Sequence, residues 1–167
     1  MPLADLADDA HIQLVPCDPP LGHADAIALS GAGDKLFAQF AREGRVAAWA
    51  IEAQVDGAVL AIAWQGDEDL SGCSRDKIAR LLLAHEQRDG RRLLSAPPIV
   101  VAGRAGARCV DRAGLRALAA RGEVDAGSVV YDLRAATLGA WRRASAIPIA
   151  QSAFAGVLAA PVAQPPA

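Results

Sequence analysis

The chain has 167 residues, 53% of them hydrophobic but only 4% aromatic, with 17 basic against 19 acidic side chains. That length carries one domain with a real core or two very small ones, and a formal net charge of −2 singles out no strongly charged partner. Cys17, Cys73 and Cys109 form no CxxC pair and His11, His23 and His85 stand alone, which argues against a disulfide framework or a cysteine zinc site; no cofactor is expected.

Residues 1–10, MPLADLADDA, are acidic and read as a loose tail. They lack the basic and apolar regions of a signal peptide, and no uncharged apolar run reaches membrane-spanning length. A cytoplasmic protein with no membrane partner is the expectation. HIQLVP (11–16) reads as a short strand stopped by the turn-forming CDPPLG. In 24–43, Ile27, Leu36, Phe37 and Phe40 have helical spacing while Gly31 and Gly33 interrupt it. The reading is a broken helix, firmest from Asp34 and ended by Gly44.

A hairpin follows, with strands at about 46–55 and 58–65. Trp49, Ile51, Ala53 and Val55 alternate with Ala50, Glu52 and Gln54, the period of a half-buried strand. Asp56-Gly57 supplies a two-residue turn, because glycine tolerates the positive φ that a type I′ turn needs. AVLAIAW (58–64) is apolar on both faces and reads as a central strand. Ser74 to Arg88 form an amphipathic helix with Ile78, Leu81, Leu82 and His85 on one stripe.

Past Pro97-Pro98, IVVAG (99–103) is a strand and Cys109-Val110 a second short one. Asp111 caps a helix over RAGLRALAAR that Gly122 closes. Ser128 to Asp132 form another strand, and a helix holds Leu138 and Trp141 until Pro148 breaks it. A last short helix runs from Gln151 to Leu158, and 159–167 is a frayed tail. The fold class is α+β: a single domain over 11–158, with a small, mainly antiparallel sheet packed by helices. A boundary near residue 97 is the alternative.

Charge is unevenly placed. Residues 1–70 hold twelve acids and three bases, residues 71–167 seven acids and fourteen bases. Such asymmetry can mark a nucleic-acid-binding half. Without a dense basic run or interleaved aromatics, two halves facing each other within one domain, or a solvated arginine surface, is the favoured account.

The chemistry-bearing residues concentrate at Asp69–Ile78, DLSGCSRDKI. Ser71, Gly72, Cys73, Ser74, Arg75 and Asp76 stand between a strand and a helix, where free backbone N–H groups can bind an anion and lower a thiol's pKa. Read structurally, Ser74 is the N-cap, Asp76 complements the helix dipole, and Cys73 packs against Ile78 as a hydrophobic staple. Read catalytically, Cys73 is a nucleophile with Asp76, Ser71 and Ser74 as orienting groups. His85 is a poor base for it, since it lies roughly 16 Å along the helix from the cap. SGAGDK (30–35) lacks the GxxxxGK[ST] of a phosphate loop, and Asp67-Glu68-Asp69 reads as a solvated loop.

SGCSRD between a hairpin and a helix resembles the SGCSID motif of an uncharacterised bacterial protein family. HIQLVPCDPPL, FAQFAREG and GEVDAGSVVYDL with Trp141 extend the resemblance over roughly residues 11–155. Arg75 replaces an apolar residue of that motif, and Glu43 stands where the family has a histidine. Some members carry a transporter-ATPase label, which this chain's missing phosphate loop does not support. The resemblance implies that Ser71-Gly72-Cys73-Ser74-x-Asp76 is a shared unit and implies no activity. LRALAARGEVDAGSVVYDL with Trp141 is also similar to GYF-type peptide-interaction modules.

The sequence therefore points to a non-catalytic binding or regulatory protein whose 71–76 loop takes a protein partner or a small anionic ligand. A cysteine-dependent enzyme or redox sensor using Cys73 is the first alternative. A nucleic-acid-associated protein using the arginine-rich half is the second.

Overall fold

Among the described residues seven strands, all paired antiparallel, form two sheets packed by helices. The computed structural model describes residues 1–66 and 68–158. In chain order the elements are β1 (His11–Pro16), α1 (His23–Arg42), β2 (Ala48–Gln54), β3 (Val59–Gln65), α2 (Gly72–Asp89), β4 (Ile99–Gly103), β5 (Gly106–Val110), α3 (Arg112–Ala120), β6 (Val129–Tyr131), α4 (Leu138–Ala144) and β7 (Ala146–Pro148). Single 3-10 turns occur at Leu3–Asp5, Ile149–Gln151 and Ala155–Val157. The first sheet has the order β1-β3-β2 and the second β5-β4-β6-β7. This is the α+β class expected, with two sheets in place of one. Among the described residues no helix is long and apolar enough to cross a membrane.

The two faces of β3 explain the layering. Leu60, Ile62 and Trp64 join Phe37 and Phe40 of α1 and Ile78 and Leu82 of α2 in one core. Val59, Ala61 and Ala63 point the other way and meet Val100 of β4 and Ala107 and Cys109 of β5. A third core, holding Ile99, Val101, Val130, Leu115 and Leu118, lies between the second sheet and α3. The layers thus run helices, sheet, sheet, helix. The contact between the sheets is rich in alanine (Ala50, Ala58, Ala61, Ala63 and Ala107). Short side chains let two pleated surfaces approach with little volume between them, which gives the alanine content a structural use.

Several expectations are corrected. The 1–10 segment is docked rather than loose: Leu3, Leu6 and Ala10 are buried, and the Leu3 N–H donates to Glu52 Oε1 at 2.6 Å. Helix α1 is continuous over 20 residues. Gly33 does not interrupt it but faces Ile51 so closely that a Cβ there would come within 2.2 Å of that side chain. The hairpin turn sits one residue earlier than expected. Val55 and Asp56 both have positive φ, and Gly57 N–H donates to Gln54 O at 3.1 Å, so the type I′ pattern centres on Val55-Asp56 within a four-residue loop. Pro148 ends strand β7, which pairs with β6, and the 151–158 helix is reduced to a 3-10 turn at Ala155–Val157. The 159–167 tail lies outside the described residues.

The charge division is in part an internal match. Arg75, Arg91, Arg142 and Arg143 of the basic half pair with Asp69, Asp25 and Asp8 of the acidic half at 2.5–3.1 Å, and Arg92 pairs with Asp18.

Candidate functional site

The 71–76 loop is a helix start, begun earlier than expected. Helix α2 begins at Gly72 with Ser71 as its N-cap, whose Oγ accepts from Ser74 N–H at 3.4 Å. Both serines suit a cap, and the stripe of burial decides between them. Ser74, Ile78, Leu82 and His85 are all buried at helical spacing, so Ser74 already belongs to the helix. Cys73 is exposed, which corrects the staple against Ile78. Five helical residues place it roughly 140° round the axis from Ile78. Asp76 falls outside the first turn and makes no hydrogen bond or ion pair among the described residues, so its expected dipole role is corrected too.

Arginines do converge here, and each already holds a partner. Arg45 donates to Ser74 Oγ at 2.7 Å and pairs with Glu43 at 2.8 Å. Arg75 donates to Asp69 Oδ2 at 2.5 Å and lies over the Trp64 ring, 5.5 Å from its centroid. A hydrogen bond from Gln39, with the charges of Arg45, Lys77 and Arg42, holds the Glu43 carboxyl below its usual range. Burial pushes the Asp69 carboxyl up, but the hydrogen bonds from Arg75 and Leu70 and the charge of Arg75 outweigh it and leave it lowered. The neighbouring open cleft, about 400 Å³ between Gly44, Arg45, Glu68, Asp69, Leu70 and Ser71, therefore carries acid as well as base. An anion entering it would meet Glu68 and Asp69 as well as Arg45 on the lining. The Trp64 indole N–H, which does not line this cleft, is buried without a hydrogen-bond partner among the described residues.

A larger cleft, about 740 Å³, lies at one end of the second sheet. Antiparallel register builds it: Ile99 is opposite Val110, and Val100 opposite Tyr131, which in turn faces Ala146. The start of β4, the ends of β5 and β6 and the start of β7 thus share one row. Ile99, Val130, Ile147 and Phe154 make an apolar floor, and Leu14 and Pro16 of β1 form the opposite wall. The volume falls within the range of small-molecule sites.

That wall is an open strand edge. Cys17 N–H bonds across to Ala58 O, toward β3, whereas Ile12 N–H and Asp18 N–H bond away from it, to Ala136 and Arg92. By the two-residue period of a strand, the Leu14 peptide groups also turn away from β3, on the side of the cleft.

The polar and charged side chains on the lining are those of Arg112, Tyr131, Asp132, Arg134, Gln151 and Ser152. Arg134 and Asp132 form a bidentate pair at 2.8 and 2.9 Å. Ser152 Oγ donates to Ile149 O and accepts from Phe154 N–H. Arg112, the first residue of α3, lines the cleft, is exposed, and makes no hydrogen bond or ion pair among the described residues. No cysteine or histidine lines the cleft; its hydroxyl and carboxylate side chains are those of Ser152, Tyr131 and Asp132. None of these residues was a candidate site residue in the sequence. They come from six separate segments between Leu14 and Phe154, each unremarkable alone. Among the described residues no group of three or more His, Cys, Asp or Glu side chains is placed to hold a metal ion. No protein-family model, curated protein or solved structure matches this chain.

Proposed function

We propose that the protein is a non-catalytic binding protein and that its ligand site is the cleft at the end of the second sheet, with the 71–76 loop serving as a helix cap. The carrying observation is the 740 Å³ cleft with its apolar floor, bounded by a strand edge and with no cysteine or histidine on its lining. The ion pairs that occupy Arg45 and Arg75 favour this assignment over anion binding at the loop.

The test is titration with the neutral apolar fluorophore N-phenyl-1-naphthylamine. Saturable binding with one site per chain is expected. Ala153→Trp, at an exposed position on the cleft rim, should weaken it at least about tenfold, a loss of ~1.4 kcal/mol, while Cys73→Ser and Arg75→Ala leave it unchanged. No saturable binding, or binding indifferent to Ala153→Trp, overturns the proposal.

A further inference from the structure

Resting on the cleft as the ligand site, we infer that its ligand is a monoanionic amphiphile: a carboxylate head held by Arg112 on an apolar acyl or aryl body that lies against Ile99, Val130, Ile147 and Phe154. Charge and shape carry this. Arg134 is matched in both directions by Asp132, so that pair presents no net charge to the cleft. Asp111, the other nearby carboxylate, is turned onto Gly114 N–H at 2.7 Å as the α3 cap. Arg112 is left as the uncompensated charge on the cleft lining. Its position is set by the sheet and the helix cap together: it stands two residues beyond Val110, which faces Ile99, with the α3 cap Asp111 between.

A planar guanidinium matches a carboxylate with two parallel hydrogen bonds. One such group suits one negative charge. A cationic head would meet repulsion, and a neutral head could accept a hydrogen bond from Arg112 but would lack the charge pairing. The rest of the lining is chiefly hydrocarbon, so the body of the ligand must be apolar to bury it. Arg112 is exposed, so the head remains at the mouth of the cleft and its pairing contributes modestly; the apolar body supplies most of the affinity.

The experiment compares octanoate with octan-1-ol by calorimetry on the full chain, at low salt. The two share a hydrocarbon chain and differ in the charge of the head. Octanoate should bind about fivefold more tightly, the factor that ~1 kcal/mol gives. Arg112→Gln should erase the preference and leave octan-1-ol binding unaltered, and Arg112→Lys should restore part of it. Equal affinity of the two ligands for the natural protein, or a preference that survives Arg112→Gln, overturns the carboxylate inference while the cleft reading stands. Failure of both ligands to bind removes the cleft reading itself.

Discussion

Gly57 at the tip of the first hairpin and Leu21 ahead of α1 lie back to back. Leu21 N–H donates to Gly57 O at 2.8 Å, and a Cβ on Gly57 would stand 2.2 Å from Leu21 O. Gly57 also has a φ of 84°. Gly90, the left-handed cap of α2, has a φ of 65° but open space around it. Gly57→Ala should therefore cost more than about 2 kcal/mol, since it combines the left-handed penalty with a backbone collision, whereas Gly90→Ala should cost only about 1 kcal/mol. Urea midpoints of the two variants check the order.

The start of α2 separates its two serines by role. Ser71→Ala removes the cap and should cost about 1 kcal/mol, while Ser71→Gly should cost only a few tenths. Ser74→Ala keeps the cap but removes the buried hydroxyl that accepts from Arg45. Its cost should be about 1 kcal/mol, and most of it should vanish in an Arg45→Ala background, where Ser71→Ala, whose contact with Arg45 is only 3.5 Å, keeps most of its effect. A double-mutant cycle measured by chemical denaturation reads the difference.

The three thiols should differ sharply in access. Cys73 is exposed while Cys17 and Cys109 are buried, so a disulfide-exchange reagent at pH 8 should modify one thiol in the folded protein and all three after unfolding. Burial pushes the Cys17 thiol up to about 12, helped by the adjacent Cys109, and pushes Cys109 up to about 11. The folded chain then keeps thiol protons that the unfolded chain releases above about pH 8.5. Stability should fall as pH rises from there, by up to about 1.4 kcal/mol per pH unit for each thiol, until the folded thiols themselves titrate. The Cys17→Ala variant should show about half that slope in urea melts between pH 9 and 10.5.

Arg142 clasps the N-terminal segment. Its guanidinium donates to Leu3 O, Ala4 O and Leu6 O at 2.8–3.2 Å and to Asp8 at 2.6 Å. Arg142→Ala should cost about 1–3 kcal/mol, with faster amide exchange and proteolysis confined to residues 3–9 and their neighbours on α4. Arg143→Ala, which loses one exposed contact to Asp8 at 3.1 Å, should change stability by less than about 0.5 kcal/mol. Exchange mass spectrometry on both variants makes the comparison.

What the sequence by itself determined is local and periodic. The doubly apolar run 58–64 marked the central strand β3, IVVAG marked β4, and Asp111 and Gly122 marked the limits of α3. These follow from side-chain spacing and cap chemistry, which act over a few residues. Tertiary structure decided the rest. Gly33 reads as a helix breaker until Ile51 is seen beside it, and MPLADLADDA reads as a loose tail until Arg142 and Glu52 supply its partners. The cleft was invisible for the same reason: Leu14, Ile99, Arg112, Val130 and Phe154 meet only through strand register and the stacking of two sheets. Contacts between residues a hundred positions apart leave no period in the chain, so only the fold could bring that site into view.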